Sequence, residues 1–169
     1  MIFVCAMTMA QTNAYPLLPM PQNYKVTDKS FAMGKVKLST PVLKSEWEAF
    51  IVNAGGELAD KAAAEIKVEL LPVIDGVKLN PDEAYRLSVS GKLIKIEAVT
   101  ERGVYWALQT LRQLEKKKGK KSLFAGCEIV DWPAFRIRGF MQDVGRSYIS
   151  VEELKREIEI LSRFKINVF

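Results

Sequence analysis

Asp131-Trp-Pro-Ala-Phe-Arg-Ile-Arg-Gly-Phe-Met-Gln-Asp-Val-Gly-Arg146, followed closely by Ser150-Val-Glu-Glu153, decides the architecture of the C-terminal part of this chain. Phe135 to Val144 is a strand candidate. Ser150 and Glu153 make a capping box, a serine at the helix entrance with a glutamate three residues on. The helix is predicted to run to about Phe164 and to bury Leu154, Ile158 and Leu161, with Ile160 beside them. Ile166-Asn-Val-Phe169 then begins a second strand. Strand, helix and strand joined so tightly form a βαβ unit, which belongs in a parallel sheet. One such unit cannot build that sheet, so the sequence is expected to be truncated, with the sheet completed beyond Phe169.

Upstream the pattern changes. Pro16, Pro19 and Pro21 set an extended lead-in that excludes helix. Tyr24–Val26 and Lys35–Leu38 read as strands. Ser45 and Glu48 form a second capping box, predicting a helix to about Asn53 that Gly55 and Gly56 stop. Ala64–Leu71 alternates Ile66, Val68 and Leu70 with Lys67 and Glu69, the signature of a half-buried strand. Tyr85–Val89 and Leu93–Ala98 alternate around Ser90-Gly91, a hairpin signal. Thr100 caps a further helix with Val104, Ala107, Leu108, Leu111 and Leu114 on one stripe, and the lysine cluster after it ends that helix. Residues of about 20 to 128 thus read as an antiparallel sheet with two helices on one face, an α+β layer.

Composition narrows the function. The 169 residues are 49% hydrophobic and 27% charged, which excludes disordered, collagen-like and coiled-coil classes. No apolar run reaches the ~20 residues of a membrane span. The chain has no histidine, so histidine-dependent triads and most zinc sites are excluded within it. Two cysteines, Cys5 and Cys127, make no disulfide framework. The net charge of +5 resides in Lys116, Lys117, Lys118, Lys120 and Lys121; without them 20 basic residues balance 20 acidic ones. A local cluster of this kind reads as a solvated loop at a helix C-terminus, and nucleic acid is set aside. Met1–Ala10 is apolar and resembles the end of a secretory signal without its basic start, so residues 1–15 read as a signal remnant and export to the periplasm or beyond is expected. Phe3 and Val4 make Cys5 a poor lipoprotein cysteine. No internal repeat, P-loop or dinucleotide motif is found.

The Asp131–Arg146 stretch resembles the start of the catalytic barrel of family 20 glycoside hydrolases, the β-N-acetylhexosaminidases. Asp131, Pro133, Phe135, Arg138, Gly139, Asp143, Arg146 and Tyr148 match the family pattern, and Phe164-Lys-Ile-Asn-Val-Phe169 resembles its second strand. Glu83–Val89 and Gly103–Leu114 resemble the α+β domain that precedes that barrel. The resemblance covers residues of about 16 to 169. It implies an accessory α+β domain over 16–130 and the incomplete start of a (β/α)₈ TIM barrel over 131–169, a barrel needing about 250 residues in all.

The resemblance also implies a site. Arg146 follows the first barrel strand, at the C-terminal end where barrel active sites lie. There it would bind hydroxyls of the terminal sugar, its planar fork of donors matching paired oxygens. Asp143 is expected to be a buried structural carboxylate near the site, and Ser147 stands where the family often has histidine. Family chemistry uses the substrate's own 2-acetamido oxygen as nucleophile, assisted by an adjacent Asp-Glu pair. Asp82-Glu83 is the only such pair here, reads as a turn in the accessory region, and is not catalytic. No catalytic residue is therefore expected in this chain, which alone would not hydrolyse a glycan ending in N-acetylglucosamine or N-acetylgalactosamine. No cofactor or metal is implied, and oligomeric state is not legible. The competing readings are a non-catalytic module binding glycan or protein through aromatics such as Tyr85, Tyr105 or Trp106, and another barrel glycosidase with a similar leading domain. Trp106 itself reads as core or domain interface.

Overall fold

Alternation of apolar and charged residues builds the sheet at the centre of the molecule. The computed structural model describes residues 16–146 and 148–169. Its strands are β1 (Asn23–Val26), β2 (Phe31–Ala32), β3 (Lys35–Ser39), β4 (Glu57–Leu58), β5 (Ala64–Leu70), β6 (Tyr85–Ser90), β7 (Leu93–Ala98), β8 (Glu115–Lys118), β9 (Lys121–Phe124) and β10 (Cys127–Asp131). The helices are α1 (Lys44–Asn53), α2 (Glu101–Gln113) and α3 (Val151–Arg163). On β6 and β7, Tyr85, Leu87, Val89, Ile94, Ile96 and Ala98 point into the core. Arg86, Ser88, Lys95 and Glu97 stand on the opposite face, in register as Arg86 with Glu97 and Ser88 with Lys95. Gly91, at φ 39°, lies in the turn between them.

The seven-stranded sheet has the order β1-β10-β6-β7-β5-β3-β4. It is mixed, not antiparallel throughout: β3 runs parallel to both β4 and β5, and β5 parallel to β7. The reason is the connection between β3 and β5, which passes through α1 as a crossover and returns the chain in the same direction. Trp47, Phe50 and Ile51 of α1 and Val104, Ala107, Leu108 and Leu111 of α2 join the sheet's inner residues in one core. The two helices therefore cover one face. The other face carries a ladder of ion pairs: Lys37–Glu65, Lys67–Glu69, Lys95–Glu69, Lys95–Glu97 and Arg86–Glu97. Leu70, at the end of its strand, is exposed despite the alternation.

Local signals fared unevenly. Thr100 caps α2 as predicted, its hydroxyl accepting from Arg102 N at 3.2 Å. The predicted box at Ser45 does not form. α1 starts two residues earlier, after Leu43 in the left-handed region at φ 54°, with no side-chain cap. Ser45 Oγ donates to Glu46 Oε2 instead, and Glu48 pairs with Lys44 one turn back. The lysine cluster is no loop. It forms the hairpin β8–β9 of a second sheet ordered β2-β9-β8, turning at Gly119 with φ 64°. Packing of Phe124 against Phe31 and Phe50 fixes that hairpin, overriding the low strand propensity of lysine.

Residues 135–169 depart furthest from expectation. The capping box at Ser150 is present in both directions, the hydroxyl accepting from Glu153 N and Ser150 N donating to Glu153 Oε2. No residue of α3 is buried, however. Leu154 and Leu161 are half-covered, while Ile158 and Ile160 are exposed. The strand candidates Phe135–Val144 and Ile166–Phe169 meet in one parallel bridge, Gly139 with Val168. Among the described residues each has only the other as a partner, and parallel pairing is slightly less stable per residue than antiparallel.

Candidate functional site

Asp143 and Arg146, three residues apart, are brought together. Asp143 accepts from Gly145 N at 2.8 Å and from Arg146 Nε at 2.9 Å. The backbone N–H of Gly145, and after it the Arg146 side chain, hold the Asp143 carboxyl below its ordinary range. Contrary to expectation Asp143 is not buried: its side chain is 53% exposed and that of Arg146 91%. The carboxylate steadies one edge of the guanidinium and leaves the remaining donors open to solvent. Tyr148 is exposed nearby in sequence, and Ser147 lies outside the described residues.

A second constellation, unread in the sequence, joins the 135–169 segment to the sheet. Glu83 ends a 3₁₀ turn (Pro81–Glu83) and is buried. Its Oε2 accepts from Trp106 Nε1 at 2.7 Å and from Arg138 Nη2 at 2.5 Å, and its Oε1 accepts from Asn167 Nδ2 at 3.1 Å. The Arg138 guanidinium lies 5.5 Å from the Trp106 ring centre. Beside it, Lys165 Nζ donates to Asp131 Oδ2 at 2.7 Å and to the Tyr85 hydroxyl at 2.8 Å. Tyr85 also donates to Asp131 Oδ2 at 2.9 Å and lies 2.7 Å from Thr110 Oγ1. Burial first, then the Asp131 charge, pushes the Tyr85 phenol well above its usual range.

The turn predicted for Asp82-Glu83 is there, but the two carboxylates differ. Asp82 faces solvent near Arg102, whereas Glu83 is the hub of the contact between the two parts of the chain. Nothing local in the sequence separates them; the partners of Glu83 come from residues 23 to 84 positions away. Trp106 lies at this contact, consistent with a core or interface position. Tyr85 is 1% exposed, so it is not the surface aromatic that a glycan-binding sheet would need. A cavity of about 300 Å³ lies between Trp106, Trp132 and Phe135, but the charges facing it are paired with one another. Among the described residues no cluster of three metal-ligating side chains occurs, and no helix is long and apolar enough to cross a membrane.

Comparison with known proteins places this arrangement. The model of glycosyl hydrolase family 20, domain 2, matches residues 14–132, and that of the family 20 catalytic domain matches residues 135–169. The chain belongs to glycosyl hydrolase family 20. A family relative, the beta-hexosaminidase of Porphyromonas gingivalis, is 30% identical over 90% of this chain and 22% of its own length. The crystal structure of the exo beta-N-acetylglucosaminidase of Vibrio harveyi in complex with N-acetylglucosamine is 32% identical, with a TM-score of 0.73 over 90% of this chain and 24% of that one. The beta-N-acetylhexosaminidase of Bacteroides fragilis is 26% identical, with a TM-score of 0.74 over 89% and 31%. This family 20 chain thus spans about a fifth of the length of the curated relatives it matches. The Glu83–Arg138 and Asp131–Lys165 contacts join the part matching domain 2 to the part matching the catalytic domain.

Proposed function

We propose that this chain is the N-terminal part of an exo-acting β-N-acetylhexosaminidase, with residues 131–169 forming the start of its TIM barrel. Its substrates would be glycans ending in N-acetylglucosamine or N-acetylgalactosamine. Arg146 would bind hydroxyls of the terminal sugar. The observation that carries this is the guanidinium of Arg146, steadied along one edge by Asp143 at 2.9 Å and open on the other, in a segment matching the family's catalytic domain. A planar fork in that state can donate to two adjacent hydroxyl oxygens at once.

In this scheme the substrate's acetamido oxygen attacks the anomeric carbon as the glycosidic bond breaks. An adjacent Asp-Glu pair supplied beyond Phe169 would orient the acetamido group and protonate the leaving oxygen. Residues 16–130 carry no catalytic group and support the barrel. The apolar Met1–Ala10 supports export from the cytoplasm.

Two assays test the reading. The 169-residue chain is expected to leave a chromogenic N-acetylglucosaminide uncleaved. In the longer hydrolase that carries this chain, Arg146→Ala should raise KM for that substrate. Turnover by the 169-residue chain alone, abolished by Arg146→Ala, would overturn the assignment of catalysis to residues beyond it.

A further inference from the structure

We propose that Glu83 and Asp131 of the α+β domain are positioning residues for Arg146: through Arg138 and Lys165 they fix how the segment bearing Asp143 and Arg146 leaves the sheet. The proposal rests on the sugar-binding role given to Arg146 above.

Four observations carry it. First, every donor nitrogen of Arg138 is engaged, and with three different stretches of chain. Nε donates to Lys165 O at 2.7 Å, Nη1 to Phe135 O at 2.8 Å and Nη2 to Glu83. Second, the single carboxylate of Glu83 holds both incipient strands, the first through Arg138 and the second through Asn167. Asn167 closes the triangle, its Oδ1 accepting from Arg138 N at 2.8 Å and its Nδ2 donating to Arg136 O at 2.9 Å. Third, Lys165 adopts φ 61°, uncommon for a residue with a side chain, while its ammonium is buried against Asp131 and Tyr85. Fourth, the backbone pairing is short, one bridge between Gly139 and Val168 with hydrogen bonds from Phe140 N to Val168 O at 3.0 Å and from Asn167 N to Arg138 O at 3.0 Å. Side-chain bonds from Glu83, Arg138 and Asn167 reinforce that short pairing and tie it to the sheet.

Geometry connects this anchor to the sugar end. Eight residue steps separate Arg138 from Arg146, at most about 26 Å of extended chain, so a tilt of about 5° at the anchor moves the far end by about 2 Å. A slip of one residue turns every side chain to the opposite face. The carboxylate that holds Arg138 therefore fixes the direction in which the chain sets out toward Arg146, whose own stretch has no strand pairing among the described residues.

The test has two arms. In the longer hydrolase, Glu83→Gln keeps a hydrogen-bond acceptor for Trp106 and removes the charge facing Arg138. We expect KM for a chromogenic N-acetylglucosaminide to rise roughly tenfold or more with kcat little changed, as for a misplaced binding group. If Glu83 acts through Arg146, the Glu83→Gln/Arg146→Ala double variant shows no further rise over Arg146→Ala alone. Additive effects would overturn the proposal, because independent roles add. In the 169-residue chain, amide exchange at Phe140 and Asn167 should quicken at least tenfold in Glu83→Gln, while Leu87 and Ile96 keep their protection. Unchanged exchange at Phe140, or equal loss across β6 and β7, would overturn it. If Glu83→Gln does not fold, Asn167→Ala carries the same two readouts. Should Arg146→Ala leave KM at the wild-type value, the sugar-binding reading falls on its own, and the exchange arm still decides whether Glu83 fixes the strands.

Discussion

Lys165 Nζ lies 2.7 Å from Asp131 Oδ2, and the two side chains are 7% and 9% exposed. Burial pushes the ammonium below its ordinary range, and the Asp131 charge and hydrogen bond oppose that push. Such a pair adds little over an apolar substitute, but breaking it strands a buried charge. Lys165→Met is therefore expected to lower unfolding free energy by about 3–5 kcal/mol, read from urea titration. The double variant Asp131→Asn/Lys165→Met should recover much of that loss. A single-variant loss below about 1 kcal/mol would mean the pair behaves as a solvated one.

Gly103 reverses the usual rule for glycine in a helix. An added Cβ would meet Ala84 O at 2.2 Å, where α2 presses on the turn before β6. Glycine to alanine inside a helix ordinarily stabilises by about 1 kcal/mol. Here Gly103→Ala should destabilise by about 1–3 kcal/mol through overpacking against backbone that cannot yield cheaply. Thermal unfolding of the variant checks the sign.

The outer ladder of the sheet predicts an acid-side loss of stability. Burial raises the affinity of Glu97 for a proton, but hydrogen bonds from Lys95 at 2.6 Å and Arg86 at 3.2 Å outweigh it and hold the carboxyl below its ordinary 4.5. Below that value the unfolded chain binds a proton that the folded chain refuses, so stability rises with pH across the window. The contribution is fully present above the ordinary value and is lost as pH falls through the folded one. Unfolding free energy measured from about pH 5 down to pH 3 should fall, and Glu97→Gln should flatten that slope. An unaltered slope in the variant would assign the loss to other carboxylates.

Cys127 should be chemically silent. It is buried on β10, and burial pushes its thiol up to about 12. The reactive thiolate is therefore scarce at neutral pH, and access is closed. In a Cys5→Ser background, a thiol reagent should label the chain only after denaturation. Rapid labelling of the folded protein would show that β10 opens locally.

How much of this was legible beforehand depended on where the deciding contact lay. The hairpin at Ser90-Gly91, the Thr100 cap and the Ser150 box are set within a few residues, and each was readable from spacing. The Ser45 box failed because Leu43 takes the cap position and shifts the helix start. Parallel pairing of β3 with β5 escaped notice because alternation reports which face a residue occupies, never the direction of its neighbour strand. The lysine hairpin depends on Phe124 meeting Phe31 and Phe50, contacts far along the chain. For the candidate site, Asp143 was expected to be buried, and its exposure beside Arg146 was not legible from spacing. Glu83 was least legible. Its partners Trp106, Arg138 and Asn167 are scattered over the rest of the sequence, and no local pattern marks a carboxylate that will be enclosed by them.

The lysine hairpin has one more consequence, for how copies of this chain meet. Among the described residues β8 is an edge of the smaller sheet, and an unpaired edge invites a strand from another molecule. Its residues Lys116, Lys117 and Lys118, backed by Lys120 and Lys121 across the turn, are all exposed. A second copy approaching edge to edge meets its own charge. The larger sheet ends in β1, also of four residues, and in β4, of two. The charge that makes this protein basic thus falls along one sheet edge, where like-charge repulsion opposes strand addition.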